Sequence, residues 1–249
     1  NTPADNNTAL GYNVLSSNTT GTHNIGIGGN DATNLATLAN NTTGSQNIGI
    51  GMAALLNNTT ADNNTAVGYQ SLRANTSGTG NTAVGAYALT AATTNDNNTA
   101  LGRSAGAAVT TAGNITVLGS YAGSAITTGN NNVCIGTQAG DDITTGGQNI
   151  IIGCRTVDAG GSGSENRIVI GDLIAGGENF QFTFGASSNI VQNEFDTDAA
   201  WTRTSDIRKK KNINNDSLGL NFINNLKPVT FQWKPSNEFP EEWAEYSEE

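Results

Sequence analysis

The sequence predicts an all-β chain built on a parallel β-solenoid of 17-residue coils, and three observations carry that prediction. An aliphatic-Gly step recurs at Gly11, Gly28, Gly51, Gly68, Gly85, Gly102, Gly119, Gly136, Gly153 and Gly171, with spacings of 17, 23, 17, 17, 17, 17, 17, 17 and 18. Leu, Ile or Val precedes each of these glycines, and the residue three before is always β-branched, from Thr8 to Ile168. Pro is absent between Pro3 and Pro228, as a continuous backbone ladder requires. With 36% hydrophobic and 6% aromatic residues and 31 glycines, the competing reading is disorder. Disorder does not hold a register; a repeat fold with a narrow core stripe does.

Around each Gly, the period-two alternation makes a short strand with its aliphatic positions on one face. A second short strand is expected where Tyr69-Gln70-Ser71-Leu72 and its counterparts follow the Gly. Asn, Thr and Gly fill the rest of each coil, which is turn chemistry. A unit this small cannot bury its own face, so neighbours stack, and ten coils at roughly 4.8 Å give a rod about 50 Å long. The six extra residues between Gly28 and Gly51 are expected as a loop around Ala36–Asn41.

Two polar files run along the repeat. Thr or Ser pairs stand eight to nine residues before eight of the ten glycines, as at Thr19-Thr20, Thr59-Thr60, Thr76-Ser77 and Thr127-Thr128. Asn stands four before it at Asn7, Asn24, Asn47, Asn64, Asn81, Asn98, Asn132 and Asn149. Stacked hydroxyls and amides would satisfy turn backbone and one another. A ligand-binding face for ice or glycan is the competing reading, weakened because adjacent Thr residues point to opposite sides of a strand. The Asn-x-Thr/Ser triplets fall out of the repeat itself. Cys134 and Cys154 occupy different coil positions, so small-core packing rather than a bridge is expected. Asp5, Asp62 and Asp96 share one corner, a poor metal site with one carboxylate per coil.

Residues 1–172 are thus the solenoid, and residues 173–204 break the repeat. There Phe180, Phe182 and Phe184 alternate with Gln181 and Thr183, a strand signature read as a small β connector with its aromatics near a three-fold axis. From Trp201 onward the composition changes. All five lysines lie between Lys209 and Lys234, and all three tryptophans from Trp201 on. The net charge of -10 excludes the clustered cations of a nucleic-acid footprint. No apolar run approaches a membrane span, and no secretory signal opens the sequence at Asn1. No cofactor or metal is expected.

The segments Asn64-Thr65-Ala66-Val67-Gly68-Tyr69-Gln70-Ser71-Leu72 and Asn81-Thr82-Ala83-Val84-Gly85-Ala86-Tyr87-Ala88-Leu89 resemble the head repeats of trimeric autotransporter adhesins and shaft repeats of phage tail fibres. The resemblance covers residues 5–172 and implies a left-handed β-roll in a homotrimer. The 17-residue period departs from it, being a little longer than the common adhesin head repeat. Trimerisation has a physical motive as well, because a coil this small encloses little apolar volume.

Ser205-Asp206-Ile207-Arg208-Lys209-Lys210-Lys211-Asn212-Ile213 is similar to the opening of the endosialidase-type intramolecular chaperone, whose pattern is Ser-Asp-x-Arg-x-Lys followed by Asn-Ile. The flanks Ala199-Ala200-Trp201 and Leu226-Lys227-Pro228-Val229-Thr230-Phe231-Gln232-Trp233-Lys234 agree. The resemblance implies a C-terminal α+β domain that assembles a trimer and then cuts itself off before the motif Ser. Residues 205–249 read as the N-terminal part of it. The cleavage site would be Thr204–Ser205, the catalytic pair Ser205 and Lys210, and the positioning residues Asp206 and Arg208. The Ser205 hydroxyl lies beside the Thr204 carbonyl, so effective concentration is high. It needs a base to take its proton. Lys210 must be neutral to act, and like-charge repulsion from Arg208, Lys209 and Lys211 favours its neutral form. The only histidine, His23, lies in the solenoid, which leaves no Ser-His-Asp arrangement.

The expected function is therefore structural: a tail-fibre segment for host attachment, with at most single-turnover serine self-cleavage. Its partners would be a host-cell receptor or glycan and other tail or baseplate proteins. Its location would be the virion, and extracellular after release. A cellular surface adhesin built from the same modules is the alternative.

Overall fold

A computed structural model describes residues 4–29, 35–156, 163–174 and 179–195. Its strands, in chain order, are β1 (Thr8–Leu10), β2 (Ile25–Ile27), β3 (Ile48–Ile50), β4 (Thr65–Val67), β5 (Thr82–Val84) and β6 (Thr99–Leu101). They continue with β7 (Thr116–Leu118), β8 (Val133–Ile135), β9 (Ile150–Ile152), β10 (Ile168–Asp172), β11 (Gln181–Ala186) and β12 (Asn189–Glu194). All twelve form one sheet in sequence order, parallel from β1 to β11, with β12 antiparallel to β11. The register repeats from coil to coil, as in Thr65↔Thr82, Ala66↔Ala83 and Val67↔Val84. This is the parallel β-solenoid of about 17 residues per coil, and among the described residues it contains no helix.

Each coil holds one strand, not two. The expected second strand at Tyr69–Leu72 is a run of turns, with Gln70 at φ 55° and Leu72 at φ 48°. Left-handed residues two apart curl the chain back on itself and cannot sustain an extended ladder. A third left-handed corner precedes every strand, at Asn6, Asn63, Asn97 and Asn131 among others, a conformation that Asn accepts more readily than most residues. The repeated glycine is required twice over. Gly68 has φ 130°, and a Cβ there would lie 2.7 Å from the carbonyl group of Gly85 one coil on.

The buried Asn file sets the spacing between coils. Asn64 accepts the backbone N–H of Asn81 through Oδ1 at 2.9 Å, and Asn81 accepts that of Asn98 at 3.0 Å. The Nδ2 of Asn81 donates to the Asn95 carbonyl at 2.8 Å. The same motif repeats at Asn24, Asn47 and Asn149. A second ladder runs Asn18, Asn41, Asn58, Asn75, each Nδ2 donating to the preceding Oδ1. The Thr file does what the structural reading expected: Thr59 Oγ1 donates to the Thr76 carbonyl and Thr76 Oγ1 to that of Thr93.

The core lies inside the coil and holds its volume by exchange. In early coils it pairs Leu55, Leu72 or Leu89 with a small strand centre, Ala66, Ala83 or Ala100. In later coils the Leu position becomes Gly106, Gly123 or Gly140, while Val109, Ile126 and Ile143 enter from the next turn and the strand centre grows to Val117, Cys134 and Ile151. A Cβ on Gly123 would meet Ile126 and Val117 at 2.8 Å, so the space that Leu vacates is filled. Where the strand centre is Gly49, Thr37 packs into the gap and its hydroxyl donates to the Gly51 carbonyl at 2.6 Å.

Two expectations are corrected here. Ala36–Asn41 is not a loop: Leu38 N–H donates to Ala54 and Asn40 to Leu56, so these residues sit in register as a regular coil. Ala53 N–H reaches the Leu35 carbonyl, which places the six extra residues at 29–34. Nor does the repeat break at 173. β11 pairs with β10 through Ile168↔Phe182 and Ile170↔Phe184, so Phe182 and Phe184 occupy the aliphatic positions and Gly185 the glycine position. Phe180 does not share their face; it stands at the left-handed corner before the strand, at φ 58°.

Asn81→Ala removes one buried acceptor and one buried donor, leaving the Asn98 N–H and the Asn95 carbonyl without them. The expected loss is about 2–4 kcal/mol by urea denaturation. Thr60→Ala, on the exposed file, should stay within about 0.5 kcal/mol of wild type.

Candidate interaction face and processing junction

The strand pattern turns the solenoid inside out relative to intuition. In β4, β5 and β7 the central residue is buried and its two neighbours are half exposed. The aliphatic positions therefore point outward, among them Leu10, Ile50, Leu101, Ile135, Ile170 and Phe184, each more than a third exposed. From β1 to β9 and through Ile168–Ile170 and Phe182–Phe184 this face carries no charged residue, in a chain of net charge -10. A continuous uncharged strip of this length, rich in exposed aliphatic side chains, is the kind of surface from which interaction sites are made. Its first position is Thr in the middle, at Thr65, Thr82, Thr99 and Thr116, and Ile on either side, at Ile48, Ile150 and Ile168. The sequence contained the signal that this face points outward: the strand centre is the small residue, so the centre is what must fit inside a narrow coil.

Two corners bound the strip. On the side preceding the strand, Asp62 and Asp96 each accept a backbone N–H from the previous coil, of Ser45 and Thr79, both at 2.6 Å. These carboxylates are used to cap turns. His23 sits on the same corner with Nε2 3.4 Å from Asn6 Nδ2. On the side following the strand stand the tyrosines. Tyr69 and Tyr87 meet edge to face at 5.2 Å, and the Arg103 guanidinium lies over the Tyr121 ring at 5.3 Å.

Neither cysteine is bridged; Cys134 is buried and Cys154 exposed. Burial, with the Asp142 carboxylate as a smaller cause, pushes the Cys134 thiol up from 9.0 to about 12. It is packing, not a nucleophile. Folding favours the protonated thiol, so this contribution is fully present below pH 9 and is lost as pH rises toward 12.

The predicted processing residues Thr204, Ser205, Asp206, Arg208 and Lys210 lie outside the described residues, as does the rest of 196–249. The chain divides into two compact units, Asn1–Thr204 and Ser205–Glu249. Residues 205–246 match the protein family described as chaperone of endosialidase. That match begins at the Ser of the motif. Comparison of the chain with curated proteins and with solved structures gives no match.

A thiol reagent at pH 8 should modify Cys154 quickly and Cys134 only after denaturation. Between pH 9 and 12, stability should fall by up to about 1.4 kcal/mol per unit. Cys134→Ala should remove that slope, measured by urea melts across the range.

Proposed function

We propose that this chain is a segment of a homotrimeric tail fibre for host attachment, assembled by its chaperone part and then released from it. The observation that carries the reading is the chaperone-of-endosialidase match at 205–246 directly following a solenoid that leaves an uncharged apolar face uncovered. An exposed face of this kind needs a partner, and a copy of itself brings no opposing charge to it. Three copies with their strand faces on a common axis would cover all three strips.

The face also explains why an assembly device is useful. Sliding one chain by one coil would set Thr82 against Thr99, Ile25 against Ile48 and Ile150 against Ile168. Mismatches arise only at borders such as Ile48 against Thr65. Such a slip costs little on the strip itself. A C-terminal unit that trimerises first aligns the chains before the coils stack, and its removal leaves the rod kinetically held.

Release follows from the junction chemistry. Lys210 takes the Ser205 hydroxyl proton, Oγ attacks the Thr204 carbonyl carbon, and the peptide C–N bond breaks with the proton passing to the Ser205 nitrogen. Water then hydrolyses the ester, leaving a carboxylate on Thr204 and free Ser205 at the head of the released part. Asp206 and Arg208 would position these groups. The partners of the mature rod would be a host-surface receptor or glycan and the neighbouring tail proteins, and its place the virion.

Intact-mass measurement tests processing on the chain expressed with its complete chaperone. Wild type should yield fragments cut between Thr204 and Ser205, and Ser205→Ala and Lys210→Ala a single uncut mass. A cut that persists in Ser205→Ala would sink the assignment. Light scattering should give three chains per particle, and Leu101→Lys on the outward face should give single chains with unchanged circular dichroism.

A further inference from the structure

On four tiers the corners on the two sides of the apolar strip match each other in size or charge, and we infer that they dock flank against flank between neighbouring copies of this chain. The inference rests on the homo-oligomeric reading above and specifies its contacts and axial register. The corner before each strand holds residues 79–80, 96–97, 113–114 and 147–148 in successive or near-successive coils. The corner after it holds residues 86–87, 103–104, 120–121 and 154–155 on the same tiers.

The corner before the strand carries Gly at three places among its described positions, and each shares a tier with a long side chain on the other corner. Gly80 shares a coil with Tyr87, Gly113 with Tyr121, and Gly147 with Arg155. The single Arg at the first position after the repeated Gly, Arg103, shares its coil with Asp96. Tyr87, Arg103, Tyr121 and Arg155 are all exposed, as is Asp96. Within the chain these groups are occupied otherwise. Asp96 bonds the Thr79 N–H and hydroxyl, Arg103 lies over Tyr121, and Tyr87 packs on Tyr69. Their size and charge match across the strip thus answers to a neighbour. Other tiers do not carry the match: Tyr12 and Tyr69 share theirs with Asp5-Asn6 and Asp62-Asn63, and the tier of Glu165 and Asp172 is acidic on both corners.

Rotational symmetry explains why the match runs within tiers. A cyclic assembly is heterologous: one flank of a copy meets the opposite flank of the next, at the same height. Tyr87 of one copy then fills the notch at Gly80 of its neighbour, and Arg103 meets Asp96. An offset of one coil breaks three of the four pairs without replacement, placing Tyr87 on Asn97, Arg103 on Gly113 and Tyr121 on Asn130 or Asn131, and only Arg155 gains a partner, Glu165. The strip tolerates a slip that the flanks reject, so the flanks keep the register after the chaperone part has gone.

Disulfide trapping in the full chain tests this, in a Cys154→Ser background. Gly80→Cys with Tyr87→Cys should give covalent trimers on mild oxidation, whereas Asn97→Cys with Tyr87→Cys should not. Cys at position 80 is tolerable because every other described coil carries a side chain there. In parallel, Arg103→Glu should raise the concentration for half-dissociation about tenfold, and Asp96→Arg added to it should recover most of that loss. Trimeric wild type with offset but not same-tier cross-links overturns the flank docking and leaves the trimer standing. Monomeric wild type, by light scattering, overturns the trimer itself.

Discussion

A hydrogen bond from a coil's backbone to the buried asparagine amide of the coil before it, repeated along the file except where Ile115 interrupts it, is the constraint on which the rest of this structure depends. It fixes the residue four before each Gly inside the coil, as at Asn64 and Asn81. With that residue inward, strand alternation forces the next one outward, the small centre inward and the last aliphatic outward. The strand's own share of the interior is therefore amides and mostly small centres such as Ala66, Ala83 and Ala100. The Leu, Val or Ile that each turn brings in, such as Leu72, Leu89 and Ile126, completes the interior, and the two flanking positions of each strand line the surface. A solenoid with one strand per coil and a 17-residue circuit has room for little else. Unpaired amide groups in that interior are costly, and along the main ladder each Oδ1 and Nδ2 has a partner, whereas the second ladder ends on a buried Asn75 Oδ1 without one.

Much of this was legible in the residues. The period, the parallel ladder and the roles of the Asn and Thr files all follow from spacing alone. The missing second strand was not, because Tyr69-Gln70-Ser71-Leu72 alternates like a strand while Gln70 and Leu72 adopt left-handed conformations that neither residue favours. Stacking against identical neighbours imposes that backbone, and propensity yields to it. The position of the six extra residues could have been found: Leu38-Ala39-Asn40-Asn41-Thr42-Thr43 aligns with Leu55-Leu56-Asn57-Asn58-Thr59-Thr60. At Phe182-Thr183-Phe184-Gly185 the repeat persists in aromatic form, and counting only Leu, Ile and Val before Gly hid it. The junction at Ser205 is a different case. Its reading comes from motif and family likeness, and the geometry of those residues is not part of what the structure describes.

The outward face and the junction belong to one physical problem. A rod of similar coils gains most of its contacts from neighbours in sequence and is therefore easy to propagate and easy to misalign. Uniformity makes the sheet regular, and the departures from uniformity carry the information: a Gly at position 80, an Arg at 103, a Thr block between Ile blocks. β12 ends the parallel stack by turning back on β11 with a polar edge of Asn189, Gln192, Asn193 and Glu194, which discourages further strands from adding there.

The asparagine ladder also bears on how such a rod ages. Side-chain amides of Asn are lost through attack by the following backbone nitrogen, a reaction that needs a mobile backbone and a small next residue. Every Asn of the main ladder is followed by Thr, Ile or Val, and no Asn in the chain is followed by Gly despite the abundance of both. The amides are also held on both sides by backbone partners, which denies them the geometry for cyclisation. One conversion to Asp would place a charge in the interior and strip a donor from the next coil. Packing that orders the coils thus also slows the chemistry by which an asparagine-rich protein would otherwise wear out.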